Sequence, residues 1–390
     1  MTALSLWYDS HRQSNNEKTA MTLDILQLLR RDIASFAPYS PIVPLDILAQ
    51  QLGLHRDQLI KLDANENPYG PTAATRAALA TLTTPEGARD MVALYPDPDN
   101  TALRTAIAQH LGQAIERIIC GNGSDELIDL LLRATISPGE AVIDVTPSFG
   151  MYAYGTLLCQ GKVVDVPRDA NFDLDIDAIR AAITTHHAKI IFLAAPNNPT
   201  GNPLRRDELI ALLDLPLIVV ADEAYAEFSG ITYLDLIDDH PNLVVLRTFS
   251  KWAGLAGLRV GYGVMHESLA TQLRKVKQPY TVNVAAEIAA TAAVYDFANM
   301  QPVLTKITQD RDALVDALTA MGCSVYPSVA NFVLVKTPIA ASQVRDVLRK
   351  NGILIRYFAK PRLNDAIRIS IGTPSQHERL LDVLQQTFSA

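Results

Sequence analysis

The sequence predicts an α/β fold: a mostly parallel seven-stranded sheet with helices on both faces, followed by a smaller α+β domain. Three observations carry this reading. Between residues 72 and 264 helical and strand-like stretches alternate, which calls for crossover connections and a parallel sheet covered on both sides. One of these strands, Pro216-Leu-Ile-Val-Val-Ala221, is apolar throughout and therefore belongs at the centre of the sheet. After Lys277 the strands and helices bunch, as they do in an α+β unit.

In chain order, residues 1–20 are polar and aperiodic and read as a flexible leader. Thr22–Ala34 predicts a helix, with its leucines and isoleucines on one side and Thr22 as N-cap. Beyond Pro38-Tyr-Ser-Pro41 comes a short helix over Leu45–Leu52, closed by Gly53. Lys61–Pro71 is extended, because Pro68 and Pro71 forbid helix there. Helices are expected at 72–82, 100–111, 124–134, 151–159, 175–184 and 205–213. Strands are expected at 117–121, 141–145, 163–166, 189–194, 216–221, 243–248 and 259–264. A long helical stretch, 284–320, is interrupted near Asn299–Pro302. Strands at 323–326, 332–335, 353–357 and 366–371 and helices at 342–351 and 375–388 complete the chain. The expected division is 1–34 as leader and arm helix, 35–70 as a segment packing with the small domain, 71–285 as the large domain and 286–390 as the small one.

Composition narrows the function. The 390 residues carry 34 Lys+Arg against 42 Asp+Glu, a net charge of −8, with pI about 5.5. Nucleic-acid binding would need clustered cations, so it is not expected. No apolar run reaches the ~18–20 residues of a membrane span. Cys120, Cys159 and Cys323 are too far apart for a disulfide framework or a zinc site, which fits a cytoplasmic protein without a metal. Only 19% of residues are charged, below the usual ~25%, so the chain either exposes unusual apolar surface or hides some of it against a partner, and an oligomer is expected.

Four strings carry chemistry. In Arg247-Thr-Phe-Ser-Lys251, followed by Gly254, Gly257 and Arg259, a buried strand ends in a hydroxyl-rich turn with a lysine. Ligands of open α/β sheets bind beyond the carboxyl ends of strands, so Lys251 suggests a Schiff-base amine near a phosphate. In Ile218-Val-Val-Ala-Asp-Glu-Ala-Tyr225, Asp222 ends a strand apolar on both faces, and its carboxylate needs a partner such as a protonated ring nitrogen, or else caps a helix. Pro196-Asn-Asn-Pro199 stiffens a turn after another strand, leaving the Asn198 amide free to donate to a phenolate-type oxygen and Asn197 as scaffolding. Cys120-Gly-Asn-Gly-Ser-Asp125 runs a glycine turn into a helix whose first amides could bind phosphate, although N-capping by Ser124 would explain it equally well.

Together these strings resemble the fold-type I aminotransferases, which use pyridoxal 5'-phosphate, over about residues 35–390. Within them the chain is similar to the histidinol-phosphate branch, on Ala37-Pro-Tyr39, Leu62-Asp-Ala-Asn-Glu66, Tyr95-Pro, Pro147-Ser-Phe-Gly-Met-Tyr152, Arg356 and Arg368-Ile-Ser-Ile-Gly-Thr373. The resemblance implies that Lys251 is the catalytic lysine and that Asp222 faces the ring nitrogen. It implies that Tyr225 and Asn198 bind the ring hydroxyl, that Ser250, Arg259 and the amides of Ser124 and Asp125 bind the cofactor phosphate, and that Phe149 stacks on the ring. Tyr95 would reach the phosphate of the neighbouring subunit, making a homodimer with shared active sites. Arg368 would take the glutamate carboxylate, Arg356 and Tyr39 the substrate phosphate, and Asn65 would lie by the imidazole. The implied reaction joins glutamate and imidazole-acetol phosphate to 2-oxoglutarate and histidinol phosphate. An aromatic amino acid aminotransferase or a threonine-phosphate decarboxylase-like enzyme is the alternative.

Overall fold

The structure, a computed structural model, describes residues 24–38 and 43–389. The chain divides into two compact units, one up to Ile42 and one from Val43 to Ala390. The leader, Thr22 and Tyr39 lie outside the described residues.

In the first unit the expected helix over Thr22–Ala34 is replaced by two short pieces. A 3-10 turn spans Ile25–Leu28, capped by Asp24, and a single helical turn spans Arg31–Ala34. Neither piece buries a residue. Periodicity alone does not hold a helix of this length, since fewer than ~12–15 residues are marginal in water without packing.

The second unit holds twelve described strands: β1 (Ile60–Leu62), β2 (Ile118–Gly121), β3 (Ala141–Thr146), β4 (Lys162–Pro167), β5 (Ile190–Ala194), β6 (Ile218–Asp222), β7 (Leu243–Thr248), β8 (Gly261–Met265), β9 (Ser324–Val325), β10 (Phe332–Lys336), β11 (Ile353–Tyr357) and β12 (Ala366–Ser370). β2 to β8 form the seven-stranded sheet in the order β2-β8-β7-β6-β5-β3-β4. Only β8 runs antiparallel to its neighbours, and β6 is the middle strand, as its apolar run requires. β3 connects outward to β4 while its neighbour β5 connects the other way to β6, so a crevice opens between β3 and β5 at their carboxyl ends.

Burial follows the two-residue period of a strand. Val219, Ala221 and Val245 enter one core, which continues to Phe332, Ile353 and Ile367 of the second sheet. Val220, Val244 and Leu246 enter the opposite core. There they meet the helix Ser124–Thr135, which buries Leu127, Ile128 and Leu130–Leu132, and the helices Met151–Leu158 and Glu267–Val276.

The smaller sheet runs β1-β11-β12-β10-β9. β1, within a segment expected to be extended and turn-rich, pairs parallel to β11. Helix Leu45–Leu52 ends at Gly53 with φ 66°, a left-handed conformation that favours glycine. The long C-terminal helical stretch breaks at Asp296, between Val284–Tyr295 and Phe297–Ala320, so Pro302 sits inside the second helix instead of marking the break.

Candidate active site

β5, β6 and β7 end side by side: Ala194 is in register with Asp222, and Asp222 with Leu246. The loops beyond those ends carry Asn198, Tyr225, Ser250 and Lys251, so the sheet itself brings the separate strings together.

Lys251 is half-buried, and its Nζ donates to the Ala64 carbonyl at 2.9 Å. The ammonium lies 5.9 Å from the centre of the Tyr225 ring. Burial first, and the Arg368 charge second, push its pKa down to about 8. Roughly a tenth of it is thus neutral at pH 7, far more than of an ordinary lysine, as a nucleophilic amine needs.

Asp222 is 4% exposed, and burial pushes its carboxyl up to about 6. Its Oδ2 accepts from the Tyr152 hydroxyl at 2.7 Å and its Oδ1 from the Ala224 amide at 3.2 Å. The local backbone bond expected of a cap is therefore present, yet it leaves the charge unmatched. Among the described residues no cationic side chain lies within 4 Å of Asp222. Tyr152 is fully buried and stacks on Phe192, ring centres 4.8 Å apart. Its supporting role was not visible in the sequence; the only signal was its place in the Pro147–Tyr152 string.

The Tyr225 hydroxyl accepts from Asn65 Nδ2 at 3.0 Å and Asn198 Nδ2 at 3.4 Å. Asn198 Oδ1 accepts from Arg368 Nη1 at 2.6 Å, and Arg368 Nη2 donates to the Asp63 carbonyl at 2.7 Å. Asn65 has φ 54° and is fixed by the Ser370 hydroxyl and by Asn331, whose Nδ2 donates to its carbonyl at 3.0 Å. Asn197 is scaffolding, bonded to the Pro147 carbonyl and to buried Arg168.

The glycine turn does not end in a Ser124 cap. Gly123 is the N-cap with φ 77°, Ser124 is the first helical residue, and no side chain caps the first turn. The Arg259 guanidinium pairs with Asp125 at 2.9 Å and reaches the Ser250 hydroxyl at 3.5 Å. A Cβ on Gly123 would sit 2.5 Å from Arg259 Nη2, and one on Gly261 would sit 2.6 Å from the Ser124 amide nitrogen. Uncapped amides, a hydroxyl and a guanidinium in one glycine-cleared hollow suit a phosphate.

Phe149 is half-buried, edge-on to Tyr152 at 5.6 Å. Arg356 lies opposite Arg368 across β11 and β12. Tyr95 stands apart from this cluster. It is 83% exposed and stacks on Tyr280 at 4.8 Å, with no hydrogen bond or ring contact to the residues above. Among the described residues no cluster of His, Cys, Asp and Glu could hold a metal ion. No described helix is long and apolar enough to cross a membrane.

An amine and a buried carboxylate without a cation within 4 Å, carried at neighbouring strand ends together with a phosphate hollow, make a site for an aldehyde cofactor with a basic ring. Residues 57–384 match the family model for aminotransferase class I and II, and the chain belongs to that family. A histidinol-phosphate aminotransferase of Roseiflexus castenholzii is 52% identical over 371 residues, covering 94% of this chain and 100% of the relative. One from Dehalococcoides mccartyi is 42% identical over 366 residues, covering 93% and 99%. The chain therefore belongs, within the class, to the histidinol-phosphate aminotransferases. The crystal structure of such an enzyme from Sinorhizobium meliloti, in complex with pyridoxal-5'-phosphate, superposes with a TM-score of 0.84 at 28% identity, over 93% of this chain and 97% of that one.

Proposed function

We propose that the protein transfers the amino group of glutamate to imidazole-acetol phosphate, reversibly, giving 2-oxoglutarate and L-histidinol phosphate in histidine biosynthesis. The observation that carries the chemistry is Asp222, a buried carboxylate with no cationic side chain within 4 Å among the described residues, with the lowered amine of Lys251 in the loop beyond the neighbouring strand β7. These residues fit pyridoxal 5'-phosphate. Bound there, the cofactor supplies an electron sink that lets an amino-acid Cα give up its proton and its amino group.

The chain's own residues do the rest. Asp222 keeps a proton on the ring nitrogen and is kept anionic in turn by the Tyr152 hydroxyl. Tyr225 and Asn198 bond the ring hydroxyl, and Phe149 is assigned to the ring face. Ser250, Arg259 and the amides of Ser124 and Asp125 hold the phosphate. Lys251 anchors the cofactor and, once displaced, moves the proton from the substrate Cα. Arg368 takes the carboxylate of glutamate or 2-oxoglutarate, in the bidentate geometry a guanidinium offers. Arg356 and Tyr39 take the phosphate of histidinol phosphate, and Asn65 faces its imidazole.

The assembly belongs to the same proposal: a cytoplasmic homodimer in which Tyr95 completes the partner's phosphate site, with 71–285 as the cofactor-binding domain and 286–390 as the small domain. Supporting the dimer, Val92, Leu94, Tyr95 and Tyr280 are all exposed apolar side chains, 56%, 61%, 83% and 43% respectively. The test compares specificity constants for histidinol phosphate, phenylalanine, tyrosine and O-phosphothreonine with 2-oxoglutarate as acceptor. Histidinol phosphate should lead; a higher value for an aromatic amino acid overturns the substrate assignment.

A further inference from the structure

β11 and β12 run antiparallel, and Arg356 stands directly opposite Arg368. Directly opposed side chains share one face of the sheet with Cβ atoms ~4.5–5.5 Å apart, and like charges so placed repel. Such a pair costs stability unless neighbouring groups attract the two cations. For Arg356 that group is not an acid: among the described residues no carboxylate lies within 4 Å of its guanidinium.

The group that meets both is Phe358, one residue beyond the end of β11. Its ring centre is 5.5 Å from the Arg356 Cζ and 5.7 Å from the Arg368 Cζ. Phe332 adds a second ring to Arg368 at 5.3 Å. Phe358 is itself anchored, packing against the buried cluster of Phe172, Leu334, Leu363 and Ala366.

The choice of a ring over a carboxylate has a chemical consequence. A carboxylate would neutralise the guanidinium groups and compete with an anionic substrate for their N–H donors. The negative face of an aromatic ring attracts a cation without adding an opposing full charge and without taking up an N–H donor. We propose that Phe358 is a positioning residue that holds Arg356 and Arg368 together as one receptor for anionic substrates, tuning the phosphate and the carboxylate arms through a single ring. The inference rests on the roles given above to the two arginines.

The test is the pair Phe358→Leu and Phe358→Tyr in the holoenzyme. Leucine keeps apolar bulk without the ring face; tyrosine keeps the ring. For Phe358→Leu the KM should rise roughly three- to ten-fold for glutamate and for histidinol phosphate together, with kcat changing less than KM. Phe358→Tyr should restore both. In an Arg356→Gln background, Phe358→Leu should still raise the glutamate KM but no longer that of histidinol phosphate. Inorganic phosphate, as a competitive inhibitor against glutamate, should weaken in parallel with the KM changes in Phe358→Leu. Equal KM values in all three proteins overturn the proposal. So does a loss confined to kcat, or one that tyrosine does not rescue, since either marks a merely structural residue. If wild-type enzyme does not use histidinol phosphate, the substrate assignment falls, while the glutamate KM and the phosphate inhibition still decide the role of Phe358.

Discussion

Behind the carboxyl ends of β6 and β7, buried Arg247 is held by acids: Glu223 at 2.7 Å and Glu227 at 3.4 Å. Across β11 and β12, buried Arg368 donates to the Asn198 side-chain oxygen and the Asp63 carbonyl and lies against two aromatic faces. Both arginines are almost equally hidden, 7% exposed. The difference lies in what remains of the charge. Arg247 is compensated inside the protein and can serve only to tie β7 to the segment after β6. The Arg368 charge is turned toward the site, where it acts on Lys251. The two regions separate stability from recognition, and substitutions should separate them as well.

The largest effect is expected at Arg247. Arg247→Met would leave Glu223 and Glu227 buried without their cation, and burial already pushes Glu227 up to about 7. Breaking a buried pair on one side costs about 3–5 kcal/mol. Urea unfolding of the cofactor-loaded protein should show a loss of that size. Adding Glu223→Gln and Glu227→Gln should recover most of it, because no orphan charge remains. If the single variant unfolds like wild type, the compensation argument fails.

The half of the site carried by the large sheet was the more legible in the sequence, for a physical reason. Asp222, Tyr225, Ser250, Lys251 and Arg259 sit at or just past strand ends, so a strand pattern plus a nearby residue type locates them. β6 was recognisable as central because a strand buried on both faces must be apolar throughout. Tyr152 was not legible as a partner of Asp222, because seventy residues and a crossover separate them. Asn331 and Phe358 escaped for the same reason: their neighbours come from other strands of the small sheet. The arm helix failed in the opposite sense. Its apolar stripe is real, but Ile25, Leu26 and Leu28 are each more than 60% exposed, and without a surface to cover the stripe specifies only turns. Arg356 and Tyr39 were reached through resemblance alone, since an arginine on a strand has no distinguishing local pattern.

The second prediction concerns the field that Arg368 exerts on the site. Burial is the main cause of the lowered Lys251 pKa, and the Arg368 charge is the next. A cationic group depressed below its ordinary value is neutral above its folded pKa, here about 8, so the cofactor-free protein should capture pyridoxal phosphate faster as pH rises through 8. Arg368→Gln removes one depressing charge and should move that inflection upward by a fraction of a pH unit to about one unit. Rates of capture followed by cofactor absorbance across pH 6–10 would measure it. An unmoved inflection would mean that burial alone sets the lysine, and that the two regions do not communicate through charge.

The smallest effect is expected at Tyr152, where one hydrogen bond stands in for a missing cation. Burial raises the Asp222 carboxyl to about 6, and the Tyr152 hydroxyl is the strongest opposing influence. Tyr152→Phe keeps the stack on Phe192 and deletes only that donor, so the carboxyl should rise further. The sign then fixes the pH window. A raised acid is protonated below its folded pKa, and a protonated Asp222 cannot hold the charge of a ring N–H. Cofactor affinity in Tyr152→Phe should therefore fall by roughly three- to ten-fold near pH 6 and recover toward wild type by pH 8. Equilibrium titration of the cofactor-free protein at both pH values measures the difference. A deficit equal at pH 6 and pH 8 would show that the hydroxyl acts by shape and not by keeping the carboxylate ionised, and the internal compensation ascribed to this half of the site would then stop at Arg247.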